Sequence, residues 1–296
     1  MALNFQTLKT RAITALIFVL VMLTGLLWNS WSFLILVSII HFGCWIEFLQ
    51  LTEKIHAVQM DTVEKYFLAV GGYMLVLLFG VRHYSFDTGK SVAGIHLSFK
   101  LLLCAFVLLA LFFFLLQNKR LTNPAKWMVG GGFVYISLSL TAFLHLRNNT
   151  LQLLPDGSFA ELGRLITCGL VFSIWINDTM AYLVGSMIGR TPFSKISPKK
   201  TWEGTAGGAL LCVAAIGIAG YYIPVARPLS VWHWVAIAAI CAVFGTMGDL
   251  FESKLKRMAD VKDSGSIMPG HGGFLDRFDS MLWAAPAVWL YVQLFV

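Results

Sequence analysis

The chain has 296 residues, 58% of them hydrophobic and 12% charged. Soluble domains carry about a quarter charged residues, so this composition excludes an ordinary water-soluble domain and predicts an integral membrane protein. A net charge of +7 then reads as Lys and Arg on cytoplasmic loops and not as a nucleic-acid footprint, because no soluble surface is left to carry one.

A membrane-spanning helix needs about 20 apolar residues. Nine segments qualify, at roughly 12–28, 31–50, 66–81, 98–116, 128–146, 165–188, 204–223, 231–251 and 281–296. The first, third and last are the shortest. MALNFQTLKTR ahead of the first run resembles the head of a signal sequence. No small-x-small cleavage site follows it, so the first helix is expected to be retained. With the N-terminus in the cytoplasm, 16 of the 22 Lys and Arg fall on inside segments and six on outside segments, the bias the positive-inside rule describes. The expected architecture is all-α and polytopic, with about nine transmembrane helices and a cytoplasmic N-terminus. Residues 1–165 form an N-terminal transmembrane scaffold. Residues 166–296 form a catalytic transmembrane region with two cytoplasmic loops, 189–203 and 252–280. Cys44, Cys104, Cys168, Cys212 and Cys241 lie in apolar runs without a CxxC, which points to small core residues and away from zinc or disulfides. Asn148-Asn149-Thr150 matches a glycosylation sequon on the outer side, a short pattern that arises easily by chance.

The acids are few and clustered. Six of the 15, Asp249, Glu252, Asp260, Asp263, Asp276 and Asp279, lie within 31 residues. Acids at membrane depth are costly, by about 2.5–3.5 kcal/mol each on insertion scales, so a chain that gathers them at helix ends uses them. Asp178, Tyr182, Gly185 and Gly189 follow one helical face, and the two glycines let another helix approach closely. That face, with the Asp178 carboxylate, is expected to point into the bundle. At 245–257, GTMGDLFESKLKR puts Asp249, Ser253 and Lys256 or Arg257 on one face. Glu252 and Lys256, at i and i+4, read equally well as a surface ion pair. Asp276 and Asp279 share a face if the last helix begins there. Carboxylates with phosphate oxygens suit Mg²⁺. The glycines around His271 expose N–H groups to anions, and His271 itself reads as structural or as a phosphate donor before it reads as a metal ligand. In SPKKTWEG, 197–204, lysines stand beside a helix N-terminus, a natural seat for phosphate. No Walker A motif, dinucleotide fingerprint or nucleophile elbow is present.

SKLKRMADVKDSGSIMPGHGGFLDRFDS, 253–280, closely resembles the signature of the phosphatidate cytidylyltransferases, the CDP-diacylglycerol synthases: S-x-x-K-R, then K-D, then P-G-H-G-G-x-x-D-R-x-D. DTMAYLVGSMIGR followed by SPKKTWEG resembles that family's upstream block, so the motifs cover about 178–280. The resemblance implies an all-helical membrane enzyme, commonly a homodimer, in the inner (plasma) membrane with its site open to the cytoplasm. It implies the Mg²⁺-dependent reaction of CTP with phosphatidic acid to CDP-diacylglycerol and pyrophosphate, with a second cation as an option. Asp249 and Asp276 are the first-choice metal ligands, with Asp178, Asp263 and Asp279 as further ligands or orienters. Lys199, Lys200, Lys256, Arg257, Lys262 and Arg277 are candidates for phosphate, with Ser197, Thr201 and Ser253 beside them. Gly270, His271, Gly272 and Gly273 would wrap phosphate. A CTP-dependent lipid-alcohol kinase is the nearest alternative, and the complete signature argues against it. A transporter would show paired repeats and broken helices, and a catalytically dead scaffold sits poorly with an intact signature.

Overall fold

The structure is a computed structural model that describes residues 5–80, 93–149, 151–153, 159–266 and 272–296. Among these residues the chain forms helical rods where the apolar runs lie: α1 (Phe5–Leu27), α2 (Ser30–His56), α3 (Thr62–Gly80), α4 (Ala93–Gln117), α5 and α6 as one rod (Asn123–Gly132 and Ser139–Asn149), α7 (Leu162–Ile188), α8 (Trp202–Tyr222), α9 (Val231–Met258) and α10 (Leu275–Phe295). Five are long and apolar enough to cross a membrane: Ser30–His56, Asn123–Asn148, Leu162–Ile188, Trp202–Tyr222 and Val231–Met258. The chain is an all-α, multi-pass membrane protein. Among the described residues the strands form one small antiparallel pair, β1 (Leu151–Leu153) with β2 (Phe159–Glu161), between α6 and α7.

Local chemistry sets the rod ends. Asn29 and Ser32 close a reciprocal capping box on α2 (Ser32 N to Asn29 Oδ1, 2.8 Å; Asn29 N to Ser32 Oγ, 3.0 Å). Thr122 caps α5, which has a proline in its first turn. Between α5 and α6 the rod widens into a π turn, Phe133–Leu138. That turn aims Phe133 at Trp45 of α2 (4.8 Å between ring centres) and Tyr135 at Phe251 of α9 (5.0 Å). α2 is the hub of the core, with Phe33, Ile40, Trp45 and Leu49 fully buried. Leu16, Ile17 and Leu20 of α1, Phe106 and Phe112 of α4, and Leu210 and Ile218 of α8 are exposed. Exposed apolar side chains on helices of this length face hydrocarbon, which solvates them as well as a core would.

Several expectations change at the rod ends. α9 runs about two turns past residue 251, because Leu255 and Glu252 are buried and continue its inner face. It stops where Asp260 takes a left-handed conformation (φ 53°) and Val261 N returns to Lys256 O (2.9 Å). α10 begins at Leu275 and not near 281, so Asp276 and Asp279 both lie on its first two turns. Asn148 of the sequon is 9% exposed, and a side chain so buried is not presented for glycosylation. At the end of the molecule shared with the motif loops, Lys65 pairs with Glu53 (2.7 Å), Arg120 pairs with Asp61, and Asn118 donates to Glu64 (2.8 Å). These contacts tie the α2–α3 turn to the α4–α5 turn.

Candidate active site

The last four rods assemble around two glycine-lined crossings. At the first, α8 lies on α7: a Cβ on Gly204 would sit 2.9 Å from Gly185 Cα, and one on Gly208 would sit 2.7 Å from Ala181 Cβ. The close approach read from Gly185 and Gly189 is therefore made, and α8 makes it. At the second, α9 meets α10 so closely that a Cβ on Gly248 would strike the Asp279 backbone, while one on Gly245 would lie 3.5 Å from Ser280 Cβ. The two crossings open a cavity of about 930 Å³ between α7, the 197–205 segment, α9, the 262–266 segment and the start of α10.

Five acids and five bases line this cavity: Asp178, Asp249, Asp263, Asp276 and Asp279, with Lys199, Lys200, Lys256, Lys262 and Arg277. Ser197, Thr201 and Gly272 line it too. Of the other residues singled out from the sequence, Ser253, Arg257 and Gly273 lie off its wall. Ser253 donates to Asp249 Oδ1 (3.3 Å), and Gly273 gives its N–H to Asp276 Oδ2 (2.8 Å). Arg257 is exposed. Gly270 and His271 fall outside the described residues. Asp178 faces the cavity as its helical face requires, with Asn177 Nδ2 3.4 Å from its Oδ1. Tyr182, on the same face, is 76% exposed and also lines the cavity, so this face opens at the cavity one turn above Asp178 before Gly185 packs it against α8.

The 190–201 segment is held in a defined shape. Pro192 bridges to Thr201, Phe193 N donates to Lys200 O (2.7 Å), and Phe193 packs on Trp202 (4.4 Å between ring centres). Thr201 caps α8 by accepting from Gly204 N (3.2 Å). Glu203 accepts the N–H groups of Arg190 (3.1 Å) and Thr191 (3.2 Å) and the Thr191 hydroxyl (2.8 Å). The Thr-Trp-Glu-Gly sequence thus fastens the segment, and Lys200 projects from it to pair with Asp249 across the cavity.

On the opposite wall, Lys256 lies 2.5 Å from Glu252 Oε2 and 2.6 Å from Asp276 Oδ1. The Glu252–Lys256 pair exists, but it is no surface pair: Glu252 is 0% exposed. Asp276 Oδ2 accepts the N–H groups of Ser264 (2.9 Å) and Gly273 (2.8 Å). Gly272 turns the chain with φ 81°, and a Cβ there would lie 2.6 Å from that oxygen, so glycine is required on both counts. Among the described residues no group of three His, Cys, Asp or Glu side chains is gathered closely enough to hold a metal alone. Mg²⁺ is commonly held by one or two carboxylates with substrate phosphates and water, and the donor set in the cavity fits that mode.

One participant escaped the sequence reading. Glu47 of α2, 2% exposed, accepts from Phe274 N (2.8 Å), Leu275 N (2.8 Å) and Ser264 Oγ (2.7 Å). It sits in the apolar stretch FGCWIEFLQL, and its lone acid among hydrophobes was the only signal that could have found it.

Fold and cavity together define a polytopic membrane protein with a chamber of mixed charge at one end of its last four rods. The sequence profile of the cytidylyltransferase family matches residues 9–295, and the chain belongs to that family. It is 35% identical over 190 residues to a phosphatidate cytidylyltransferase of Bacillus subtilis, over 64% of this chain and 66% of that protein. It is 46% identical over 114 residues to a phosphatidate cytidylyltransferase of Staphylococcus aureus, over 38% of this chain and 43% of that protein. It is 44% identical over 116 residues to phosphatidate cytidylyltransferase 4, chloroplastic, of Arabidopsis thaliana, over 39% of this chain and 29% of that protein. The matched stretches span just under two thirds of the Bacillus protein and less than half of the other two.

Proposed function

We propose that the chain is a phosphatidate cytidylyltransferase, joining CTP and phosphatidic acid to give CDP-diacylglycerol and pyrophosphate. The observation that carries this reading is one cavity in which five basic and five acidic side chains meet at the end of four apolar rods. Its volume of about 930 Å³ is at the upper end for ligand sites and leaves room for a triphosphate beside a lipid headgroup. The positive-inside bias supports a cytoplasmic opening in the cell (inner) membrane, and a homodimer is the expected assembly.

In this reading an ionised phosphate oxygen of phosphatidic acid attacks the α-phosphorus of CTP. The bond from that phosphorus to the bridging oxygen breaks, and pyrophosphate leaves with the electron pair. The nucleophile is already ionised near neutral pH, so the chain needs no strong base, and its work is positioning and charge neutralisation. Lys200 and Lys256, each now held by a carboxylate, are the inner phosphate ligands. Lys199, Lys262 and Arg277 are exposed and meet the outer phosphates. Thr201, which caps α8, lines the same cavity beside Lys200. Mg²⁺, alone or with a second cation, would be held by Asp249 and Asp276, with Asp178 and Asp279 lining the same cavity, and would supply charge neutralisation on the triphosphate.

The test is purified protein in detergent with radiolabelled CTP, phosphatidic acid and Mg²⁺, with an EDTA control. The expected products are CDP-diacylglycerol and pyrophosphate, and both vanish on chelation. No CDP-lipid from folded protein, with a phosphorylated product and CDP when a polyprenol is supplied in place of phosphatidic acid, would overturn the reading in favour of a kinase. Asp249→Ala and Asp276→Ala are each expected to abolish turnover in protein that still folds and inserts. Normal activity in either removes that residue from the site.

A further inference from the structure

The proposed chemistry draws on side chains from α7 onward, yet a carboxylate from α2 stands behind the chamber wall, bonded to the segments that form it. Glu47 is buried to 2% exposure in the hub of the core. A carboxylate there is tolerated only when its oxygens are satisfied, and every partner that satisfies Glu47 comes from far along the chain. The nearest, Ser264, is 217 residues away.

Two of those partners are the first free N–H groups of α10, from Phe274 and Leu275, each 2.8 Å from a Glu47 oxygen. α10 has no side-chain cap of its own, so Glu47 satisfies its exposed N–H groups and complements its dipole from another helix. The third partner links Glu47 to the chemistry. Ser264 donates its hydroxyl to Glu47 Oε2 (2.7 Å), accepts from Asp276 N (3.3 Å) and gives its own N–H to Asp276 Oδ2 (2.9 Å). Asp276 Oδ1 in turn receives Lys256 (2.6 Å). The surroundings are shaped for this carboxylate: a Cβ on Gly265 or Gly273 would come within 2.6 or 2.5 Å of Glu47 Cδ, and one on Gly43, a turn earlier on α2, would strike the Phe274 ring.

We infer that Glu47 is a positioning residue for the transfer reaction: through Ser264 and the start of α10 it fixes the direction of the Asp276 carboxylate and, with it, the Lys256 ammonium. The inference rests on the proposed function for its kinetic readout, and hydrogen exchange tests it independently of activity.

The experiment compares full-length wild type with Glu47→Gln, Glu47→Ala and Ser264→Ala in detergent. It measures kcat and KM for CTP per folded molecule, together with hydrogen exchange across 272–280. In Glu47→Gln one of the two N–H groups, that of Phe274 or that of Leu275, faces an amide donor. A misplacement of this kind lowers kcat by about 10- to 100-fold, while KM for CTP moves by less than about threefold, the pattern of a lost transition-state alignment and not of lost binding. Exchange at the start of α10 rises while that of α2 and α9 stays as in wild type. Ser264→Ala lowers kcat in the same sense with the protein intact, and the Glu47→Gln/Ser264→Ala pair falls no further than the worse single variant, because both act through one network. Wild-type kcat in folded Glu47→Gln with unchanged exchange overturns the inference. So does a loss that disappears when activity is counted per folded molecule, which makes Glu47 purely structural. If the Glu47 variants do not fold, Ser264→Ala decides alone: wild-type kcat there overturns the link to Asp276. Wild-type protein that makes no CDP-lipid defeats the proposed function instead, and the exchange data still judge the anchoring.

Discussion

Lys256 shows how much a single side chain is asked to do at this site. Its ammonium stands between Glu252 and Asp276, at 2.5 and 2.6 Å, and Glu252 lies at 0% exposure. Removing one partner of a buried pair leaves a charge that neither water nor protein compensates. Lys256→Met is therefore expected to destabilise the protein by about 3–5 kcal/mol, read as a fall in Tm of the detergent-solubilised enzyme. Adding Glu252→Gln neutralises the stranded charge and restores most of that stability. Turnover is not restored, because Asp276 and the substrate phosphates still lack the ammonium. A double variant as unstable as the single one would show that Glu252 is not the group Lys256 compensates. Lys200 offers the contrast. It pairs with Asp249, but both side chains are about a third exposed (27% and 32%), so water screens the pair. Lys200→Met is expected to change stability by less than about 1 kcal/mol while lowering kcat/KM by about 100-fold, as the loss of a charge stabiliser does.

At the level of elements, the site depends on how closely α8 lies on α7. A Cβ on Gly208 would be 2.7 Å from both the backbone N and the Cβ of Ala181, with backbone on one side and no flexible side chain to give way. Gly208→Ala is expected to cost about 1–3 kcal/mol by overpacking and to reduce turnover, since the crossing brings Asp178 of α7 and the Lys200–Thr201 segment ahead of α8 to one cavity. Gly130→Ala in α5 is the matched control: nothing lies within 4 Å of its Cβ position, so it is expected to gain about 1 kcal/mol from helix propensity with activity unchanged. Thermal melts and activity of the two variants check both expectations. The glycine crossing was legible in the sequence because Gly185 and Gly189 recur at helical spacing, and the cavity acids were legible because acids are scarce and crowd into one stretch. The end of α9 was not. Glu252 to Arg257 look like loop residues until one sees that Glu252 is paired inside and Leu255 is buried. The start of α10 was hidden because its cap comes from α2, and sequence spacing carries no trace of a partner 228 residues away. The β1–β2 pair was missed because three residues are too few to show a period, although Pro155-Asp156-Gly157 between the strands is turn chemistry.

At the scale of the whole molecule, the placement of charge bears on which end faces the cytoplasm. The rods alternate in direction, so the α7–α8 segment and the end of α9 share one end, and the short 3₁₀ segment Pro224–Ala226 between α8 and α9 lies at the other. The first end carries Lys195, Lys199, Lys254 and Arg257 among others, and the second carries Arg147, Arg164 and Arg227, so the 16-to-six bias along the chain supports the proposed cytoplasmic motif end. Under the proposed function CTP and pyrophosphate are the soluble reactants, and being multiply charged they do not cross bilayers unaided, which gives that orientation a chemical reason as well as a statistical one. The native cysteines make a labelling test clean: Cys44, Cys104, Cys212 and Cys241 are buried, and Cys168 is only partly exposed. Lys254 and Val225 are both exposed and stand at opposite ends. Lys254→Cys is expected to react with a membrane-impermeant maleimide only in inverted vesicles or after permeabilisation, and Val225→Cys only from outside intact cells. Wild-type protein gives the background, and activity of each variant shows that the fold is kept. The reverse pattern would place the cavity on the outer face, away from cytoplasmic CTP. Because the same bilayer orientation governs every charge in the chamber, that single result would undo the assignment of all five lysine and arginine phosphate ligands at once.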